Sequence, residues 1–271
     1  LILIVLLITL LSLYIDKKIG FNTTRDLSEF SILKIQPPEN FDYIPKKIFM
    51  TYHSKDKIPK KVFDNLEKYA KNIPYEIFDD NDIEKFLKKY YNNNIVNKFK
   101  QLKGAHKADL FRYCLLYING GIYLDIKTEL IKNIEDIIDF NKKRVFYTVL
   151  GSKLNLNIKQ IYQGIILTPP RNKILLHLIN DILNTPRFIP KLNYLIFCKQ
   201  FYRILKNYSK NKKIKAGLNK INNNYDCYLF KENLEKVTKG DKDRYGFNSK
   251  IYDTVKNEYI IKTRFNDYPW K

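Results

Sequence analysis

Apolar residues fill the first 15 positions of the chain, LILIVLLITLLSLYI, and none of them is charged. As a helix this run would reach about 22 Å, short of the roughly 30 Å of a bilayer's hydrocarbon core. The sequence does not begin with Met, so we expect residues 1–15 to be part of a membrane helix that starts further upstream. A cleaved signal peptide and a buried core helix are the alternatives, but no small-residue cleavage site follows the run.

A polar segment, residues 16–43, follows the apolar run and shows little periodicity, so it is predicted to be a stem. Lys17 and Lys18 favour the cytoplasmic side for this flank by the positive-inside rule. Two glycosylation sequons, at 22–24 and 207–209, instead suit exposure in a secretory lumen. We therefore expect a single-pass membrane protein whose remaining part faces a Golgi- or ER-like lumen, with the cytoplasmic side as the alternative.

From residue 44 onward, short apolar strands alternate with amphipathic helices. The pattern predicts strands at 46–52, 75–80, 122–126, 144–150, 160–168 and near 259, and helices at 61–72, 82–91, 106–120 and 172–183. The second of these helices is predicted to be capped by Asn81 or Asp82, and the Lys- and Asn-rich stretch 206–224 to be a loop. Such alternation is typical of an α/β fold with parallel crossovers, so residues 44–271 are predicted to form one Rossmann-like sheet domain.

The three cysteines are too few and too widely spaced to indicate a disulfide framework or a zinc site. They stand at positions 114, 198 and 227, with no C-x-x-C spacing. Cys114 lies within an apolar helical run and is predicted to be a small core residue. With 271 residues, 45% of them hydrophobic, the chain is long enough for one sizeable core.

The chain has 49 Lys+Arg and 28 Asp+Glu, which gives a net charge of +21. Such a charge indicates an anionic partner, but Lys, Asn, Ile and Tyr all have A/T-rich codons, and a biased genome would also raise the lysine content. No nucleic-acid-binding motif is recognisable in the sequence, so no nucleic acid is expected among the partners.

Acidic residues stand at two predicted strand ends. Asp125 lies in GGIYLDIKTEL, 120–130, and Asp79 and Asp80 follow the strand before it. Ligands of open α/β sheets bind beyond the carboxyl ends of the strands, although Asp79 and Asp80 would also serve as helix caps. Asp109 and Arg112 stand at i, i+3, the spacing of an intrahelical ion pair, on the helix that runs directly into this strand.

The segment HKADLFRYCLLYINGGIYLDIKTEL resembles the signature of the glycosyltransferase family 32 type, the transferases with a DXD sugar-binding region. The matching positions are Lys107, Ala108, Asp109, Arg112, Tyr113, Gly120, Gly121, Tyr123 and Asp125. The opening IPKKIFMTY resembles the family's start, with Phe49 for His and Tyr52 for Trp. The likeness covers roughly residues 44–133 and is long enough to make a chance match improbable.

The resemblance implies a GT-A fold, the α/β fold of nucleotide-diphospho-sugar transferases, together with a GDP- or UDP-hexose donor. It also implies a glycan or protein-linked acceptor and transfer with retention of anomeric configuration, as in the group's mannosyltransferases. An alternative is an inactive relative that binds a sugar nucleotide or a partner transferase. By carry-over, the donor-binding residues are Tyr52, Asp109, Arg112, Tyr123, Asp125, Lys127 and Trp270. Of these, Asp109 and Arg112 would hold the sugar, Asp125 would face the ribose or a metal, Tyr52 would stack on the base and Trp270 would close over the phosphates.

Lys127 stands where the family's motif has its second acid, which would help to hold a divalent metal such as Mn²⁺. A strand through this segment would place Asp125, Lys127 and Glu129 on one face. Three outcomes are open at this point. Glu129 replaces the missing acid and binds metal with Asp125, or Lys127 contacts the donor's diphosphate directly, or the site is inactive.

Overall fold

The computed structural model describes residues 32–35, 42–152, 159–221, 225–236 and 247–265. The predicted anchor at 1–15, most of the stem and Trp270 lie outside these ranges. Among the helices within them, none is both long enough and apolar enough to span a membrane.

The described residues form ten strands and eight α-helices. The strands are β1 (Ile48–Thr51), β2 (Tyr75–Phe78), β3 (Gly121–Leu124), β4 (Glu129–Leu130), β5 (Val145–Gly151), β6 (Gln160–Thr168), β7 (Gly217–Lys220), β8 (Asp226–Lys236), β9 (Phe247–Asp253) and β10 (Glu258–Lys262). The helices are α1 (Lys60–Tyr69), α2 (Asp80–Tyr90), α3 (Asn93–Gln101), α4 (Ala105–Asn119), α5 (Ile134–Ile137), α6 (Lys173–Asn184), α7 (Ile189–Leu192) and α8 (Ile196–Tyr208).

All ten strands join one mixed sheet, so the predicted α/β class is confirmed. The order is β2-β1-β3-β6-β5-β8-β9-β10-β4, with β7 paired to β8. Strands β2, β1 and β3 run parallel, as expected from the strand–helix alternation. From β6 onward most pairs are antiparallel, so the predicted parallel crossovers account for only part of the sheet.

The sheet is covered on both faces, which is why its strands are apolar on both sides. Phe49 and Tyr123 contact the core beneath α4, α6 and α8. Ile48 and Ile122 belong to a second core on the opposite face, with the buried residues of α1. The side chains of a strand alternate between faces, so Tyr123 lies on the α4 side while its neighbours face away from it.

The glycine pair between α4 and β3 allows a turn that other residues would strain. Gly120 has φ of 61° and Gly121 has φ of 100°, a region that L side chains rarely adopt. A Cβ at Gly120 would lie 2.6 Å from the backbone N of Pro170, and one at Gly121 would lie 2.9 Å from the carbonyl oxygen of Lys47. The pair thus lets a helix that is buried from Asp109 to Ile118 turn directly into a central strand.

Three local predictions need correction. The cap of α2 is Asp79, whose Oδ1 accepts from the backbone N–H groups of Asn81 and Asp82, both at 2.9 Å. The stretch predicted as a loop at 206–224 contains the end of α8 and the strand β7. Strand β3 ends at Leu124, so Asp125 lies in the turn that follows and not within the strand.

Candidate active site

A cavity of about 700 Å³ opens at the carboxyl ends of the parallel strands β1 and β3. This is the position at which ligands bind to open α/β sheets. The residues that line it are Thr51, Tyr52, His53, Asp80, Ile83, Lys100, Leu102, Lys103, Gly104, Ala105, Lys107, Ala108, Arg112, Asp125, Ile126, Lys127 and Tyr194.

Arg112 connects two carboxylates at the floor of this cavity. Its Nη2 lies 3.3 Å from Oδ1 of Asp109 and 3.4 Å from Oδ1 of Asp125. Its Nε donates to the carbonyl of Ala108 at 3.1 Å, and its Nη1 donates to the carbonyl of Gln163. The side chain is only 4% exposed, so the guanidinium is held in one orientation. The predicted i, i+3 pair is present, and Asp125 extends it into a triad.

Tyr123 supports this triad from below. Its ring centre lies 4.5 Å from Cζ of Arg112, and its hydroxyl is 2.9 Å from Oγ1 of Thr51. Stacking of a guanidinium on an aromatic face favours the charged, planar form of the arginine. The sequence signature therefore brings together residues from β1, β3 and α4 around one cation.

Burial and the charge of Arg112 shift the pKa of Asp109 in opposite directions. Burial raises the pKa of Asp109 to about 6, although the neighbouring Arg112 acts to lower it. Burial acts to lower the pKa of Arg112, but Tyr123, Asp125 and Asp109 outweigh it, so that pKa is raised. Arg112 thus stays charged, whereas Asp109 changes its protonation state near pH 6.

The turn at Asp125 is fixed by its backbone. Its N–H donates to the carbonyl of Gly164 at 2.8 Å, and its carbonyl accepts from the N–H of Thr128 at 2.8 Å. A Cβ at Gly164 would lie 2.7 Å from Oδ2 of Asp125 and would also clash with the Tyr162 hydroxyl. Gly164 therefore makes room for both side chains. The Tyr162 hydroxyl oxygen is buried and has no hydrogen-bond partner among the described residues.

The family model of the glycosyltransferase sugar-binding region containing a DXD motif matches residues 50–143, which hold the whole triad. The resemblance to the glycosyltransferase family 32 type is thereby confirmed over this segment of the chain.

The curated relatives are glycosyltransferases of yeasts and of a virus. The initiation-specific alpha-1,6-mannosyltransferase of Saccharomyces cerevisiae is 30% identical over 147 residues, which are 46% of this chain and 30% of that protein. Its counterpart in Schizosaccharomyces pombe is 27% identical over 46% of this chain and 36% of its own length. The uncharacterized glycosyltransferase L373 of Acanthamoeba polyphaga mimivirus is 32% identical over 35% of this chain and 43% of its own. The matched regions thus span less than half the length of these relatives.

Among solved structures, the PaToxG glycosyltransferase is similar over 72% of this chain and 76% of that chain. The sequence identity there is 15% and the TM-score 0.43.

The surroundings of Lys127 differ from those of Glu129. Lys127 stands in place of the second acid of the DXD motif, and Glu129 is the candidate to replace that acid. Lys127 belongs to the turn after β3 and lines the cavity. Glu129 belongs to β4, where its carboxylate lies 3.1 Å from Nζ of Lys262 on β10, and it does not line the cavity. The expectation that a strand places Asp125, Lys127 and Glu129 on one face is therefore wrong, because a turn separates β3 from β4.

The acidic side chains around the cavity are poorly arranged to bind a metal ion. In the part of the chain that is described, no group of three or more His, Cys, Asp or Glu side chains is arranged to hold an ion. Asp125 faces Arg112, and the next cavity-lining charge along the chain is the cation of Lys127. The other carboxylate in the lining, that of Asp80, pairs with Lys107, so a metal here would rest on Asp125, which an arginine already contacts.

The remaining predicted donor-binding residue within the described ranges is Tyr52. It follows β1 and lines the cavity, and its ring contacts the tilted ring of His53, with ring centres 4.3 Å apart. Trp270 falls outside the described residues, so its role stays a prediction.

Sequence reasoning missed three polar residues near the triad, on β6 and β8. Gln163 accepts from the Tyr113 hydroxyl and donates to Sγ of Cys198. Glu232 is 7% exposed and accepts from Oγ of Ser249 at 2.6 Å. Burial raises the pKa of Glu232, although its hydrogen bonds and the charge of Lys127 act to lower it. Tyr162 is the third. No local motif marks these positions, because long-range strand pairing brings them to the site.

Proposed function

We propose that the chain is a retaining glycosyltransferase of the GT-A type that moves a hexose from a nucleoside-diphosphate sugar to a glycan or protein-linked acceptor. The observation that carries this proposal is the Asp109–Arg112–Asp125 triad, of which Arg112 and Asp125 line a cavity of about 700 Å³. A cavity of this size is within the usual range for small-molecule and cofactor sites.

Carboxylates accept hydrogen bonds from sugar hydroxyls, which suits Asp125, in the cavity lining, to the ribose. The proposed contact between Asp109 and the transferred hexose follows from the family motif, since Asp109 is buried beside Arg112 and outside that lining. Arg112 holds both carboxylates in place. Tyr52 offers an aromatic face for the base.

Positive charge is available for the diphosphate. Lys100, Lys103, Lys107 and Lys127 line the cavity, and Lys107 also pairs with Asp80. In the proposed reaction the bond between the sugar's anomeric carbon and the phosphate oxygen breaks as the acceptor oxygen bonds to that carbon on the same face. The acceptor's proton leaves with the departing diphosphate. The protein contributes position and charge stabilisation, and no side chain acts as a covalent nucleophile.

A donor panel with detection of nucleoside-diphosphate release tests this proposal. Two relatives are named as mannosyltransferases, so GDP-mannose is the first donor to compare with UDP-glucose and UDP-galactose. Release of nucleotide from one donor, stimulated by a glycan acceptor, would support transfer. Tight donor binding without release would instead favour the inactive, sugar-nucleotide-binding relative, which the replacement of an acid by Lys127 makes the second candidate.

Asp109→Asn is expected to lower kcat/KM by at least about tenfold, which is about 1.4 kcal/mol of transition-state stabilisation. The physical reason is that the amide keeps the shape of the carboxylate but loses its charge and one acceptor oxygen. Since the pKa of Asp109 is about 6, activity of the unaltered protein should rise with pH up to about 6 and then level off. The variant should lack that rise.

The matched control is Asp64→Asn on α1, an exposed residue that pairs with Lys60 far from the cavity. Both variants should melt as cooperatively as the unaltered protein. A folded Asp109→Asn variant with normal activity and the same pH profile would remove Asp109 from the site.

We further propose that residues 1–15 anchor the protein in a membrane, that 16–43 form a stem and that the domain 44–271 faces a lumen. The support is the uncharged apolar run and the polar segment behind it. Full-length protein should stay in the membrane pellet after alkaline carbonate extraction, and its release into the supernatant would count against the anchor.

A further inference from the structure

A second groove, of about 800 Å³, lies between the end of α8 and the edge strand β7. Seven lysines line it: Lys159, and six more between Lys206 and Lys220. None of the described residues that line it is acidic, although Lys220 pairs with Asp226 of β8 at 2.6 Å. A chain with 28 acidic residues for its 49 basic ones would place several acids around such a groove if its surface charge were scattered at random.

The backbone that presents these lysines is held in place by buried polar side chains. Asn219 is 7% exposed; its Oδ1 accepts from the N–H of Lys215 at 2.9 Å, and its Nδ2 donates to the carbonyl of Lys215 at 2.7 Å. Ser209, which is buried, donates from Oγ to the carbonyl of Lys213 at 2.5 Å and bridges to Ile221. The loop therefore keeps its like charges together although they repel one another.

In the donor cavity and at several surface positions, acidic residues lie close to the lysines, unlike in the lining of this groove. The donor cavity mixes its lysines with Asp80 and Asp125. Several lysines on the helices pair with acids, as Lys60 does with Asp64 and Lys88 with Glu84. A codon bias raises lysine content everywhere, but it does not explain why acids are missing from one concave site on a clamped loop.

We propose that this groove binds an anionic glycan chain, bearing phosphate, sulfate or carboxylate groups, and docks it as the acceptor. Lysine ammonium groups are compact point charges that suit such groups. The groove is concave, which suits a chain better than a flat bilayer. Tyr202 is the only aromatic residue among its described lining, which is too few for the stacking platform that single-stranded nucleic acids need.

The groove lies within reach of the donor cavity along α8. Tyr194, which lines the donor cavity, lies two residues before α8, and Lys206, which lines the groove, lies about 15 Å along α8 from its first residue, Ile196. An extended oligosaccharide can bridge that distance. The acceptor role rests on the proposed transferase function, whereas anionic glycan binding by itself does not.

The test is equilibrium binding of a fluorescently labelled heparin oligosaccharide, followed by anisotropy at about 0.15 M salt. Lys206→Gln, Lys213→Gln and Lys215→Gln together should weaken binding by at least about tenfold, since three of the seven charges are lost. The control combines Lys68→Gln, Lys89→Gln and Lys142→Gln, three exposed lysines outside the groove with the same change of net charge. It should weaken binding less than about twofold.

Equal weakening by both triple variants would overturn the proposal, because binding would then follow net charge and not the groove. Tighter, groove-dependent binding of duplex DNA or of phosphatidylserine vesicles would also overturn it and assign the groove to that partner. Donor hydrolysis is measured in parallel. Its absence from a protein that binds the glycan would remove the transferase function and leave the binding site standing.

Discussion

Arg112→Met is expected to abolish transfer and to lower the free energy of unfolding by about 3–5 kcal/mol near neutral pH, the usual result of breaking a buried ion pair. The substitution keeps the apolar volume of the side chain but removes the cation between Asp109 and Asp125. It also leaves the carbonyls of Ala108 and Gln163 without their donor. Two carboxylates would then face the same buried space with no opposite charge.

The loss of stability in Arg112→Met should become larger as pH rises. Arg112 acts to lower the pKa of Asp109, so without it the folded-state pKa of Asp109 rises further above its ordinary value. The folded state then binds more protons than the unfolded state over that window, so stability falls as pH rises. Urea unfolding at pH 5, 6.5 and 8 should show the smallest deficit at pH 5.

The matched control is Arg144→Met. Arg144 pairs with Asp42 at 2.7 Å at the surface, with 44% of its side chain exposed, so its removal should change stability little at any pH. If Arg112→Met were as harmless as Arg144→Met, or if its deficit were the same at all three pH values, the triad would not be a buried ion cluster.

The parallel half of the fold follows from local sequence because each signal there is read over a few residues. The stretch Ala105–Leu124 is the clearest case: an apolar helix, two glycines that a turn of this geometry requires, and a short strand. Asp109 and Arg112 lie three residues apart on that helix, and Asp125 directly follows the strand. Most of the triad could therefore be placed from the sequence alone.

Some features could not be predicted from the sequence. They depend on strand pairing between distant segments, or on several neighbouring residues being equally suitable for the same role. Asp79, Asp80, Asn81 and Asp82 are all good helix caps, and only the structure shows that Asp79 accepts both hydrogen bonds. Strand β7 could not be distinguished from a loop because it pairs only with β8 and is rich in Lys and Asn. Tyr162, Gln163 and Glu232 reach the site through the β3–β6 and β5–β8 pairings, which no local pattern reports.

Lys127→Ala is expected to lower kcat by about 100-fold or more, the usual cost of losing one fixed group that stabilises developing charge. Lys127 follows Asp125 by two residues, lines the donor cavity and stands where relatives carry the second acid of the DXD motif. Protonated, it cannot coordinate a cation, but it can contact the departing diphosphate. The hypothesis is that its charge does for the leaving group what a divalent metal does in relatives.

Measuring activity in the presence of EDTA distinguishes a role of Lys127 from a role of a bound metal. If Lys127 supplies the charge, EDTA should leave a substantial part of the activity of the unaltered protein. Glu129→Gln should be tolerated, since Glu129 pairs with Lys262 and lies outside the cavity lining. Lys127→Asp restores a D-x-D spacing, so any activity of that variant should require added manganese and disappear in EDTA.

These three variants separate the hypotheses that the sequence left open. Full loss of activity in EDTA, restored by manganese, together with a tolerated Lys127→Ala and an inactive Glu129→Gln, would give the metal role to Asp125 and Glu129. Absence of donor turnover in every variant and in the unaltered protein, with donor binding retained, would identify an inactive relative. The position of Lys127 in the turn beside Asp125, with Glu129 paired across β4 and β10, favours direct contact between Lys127 and the diphosphate.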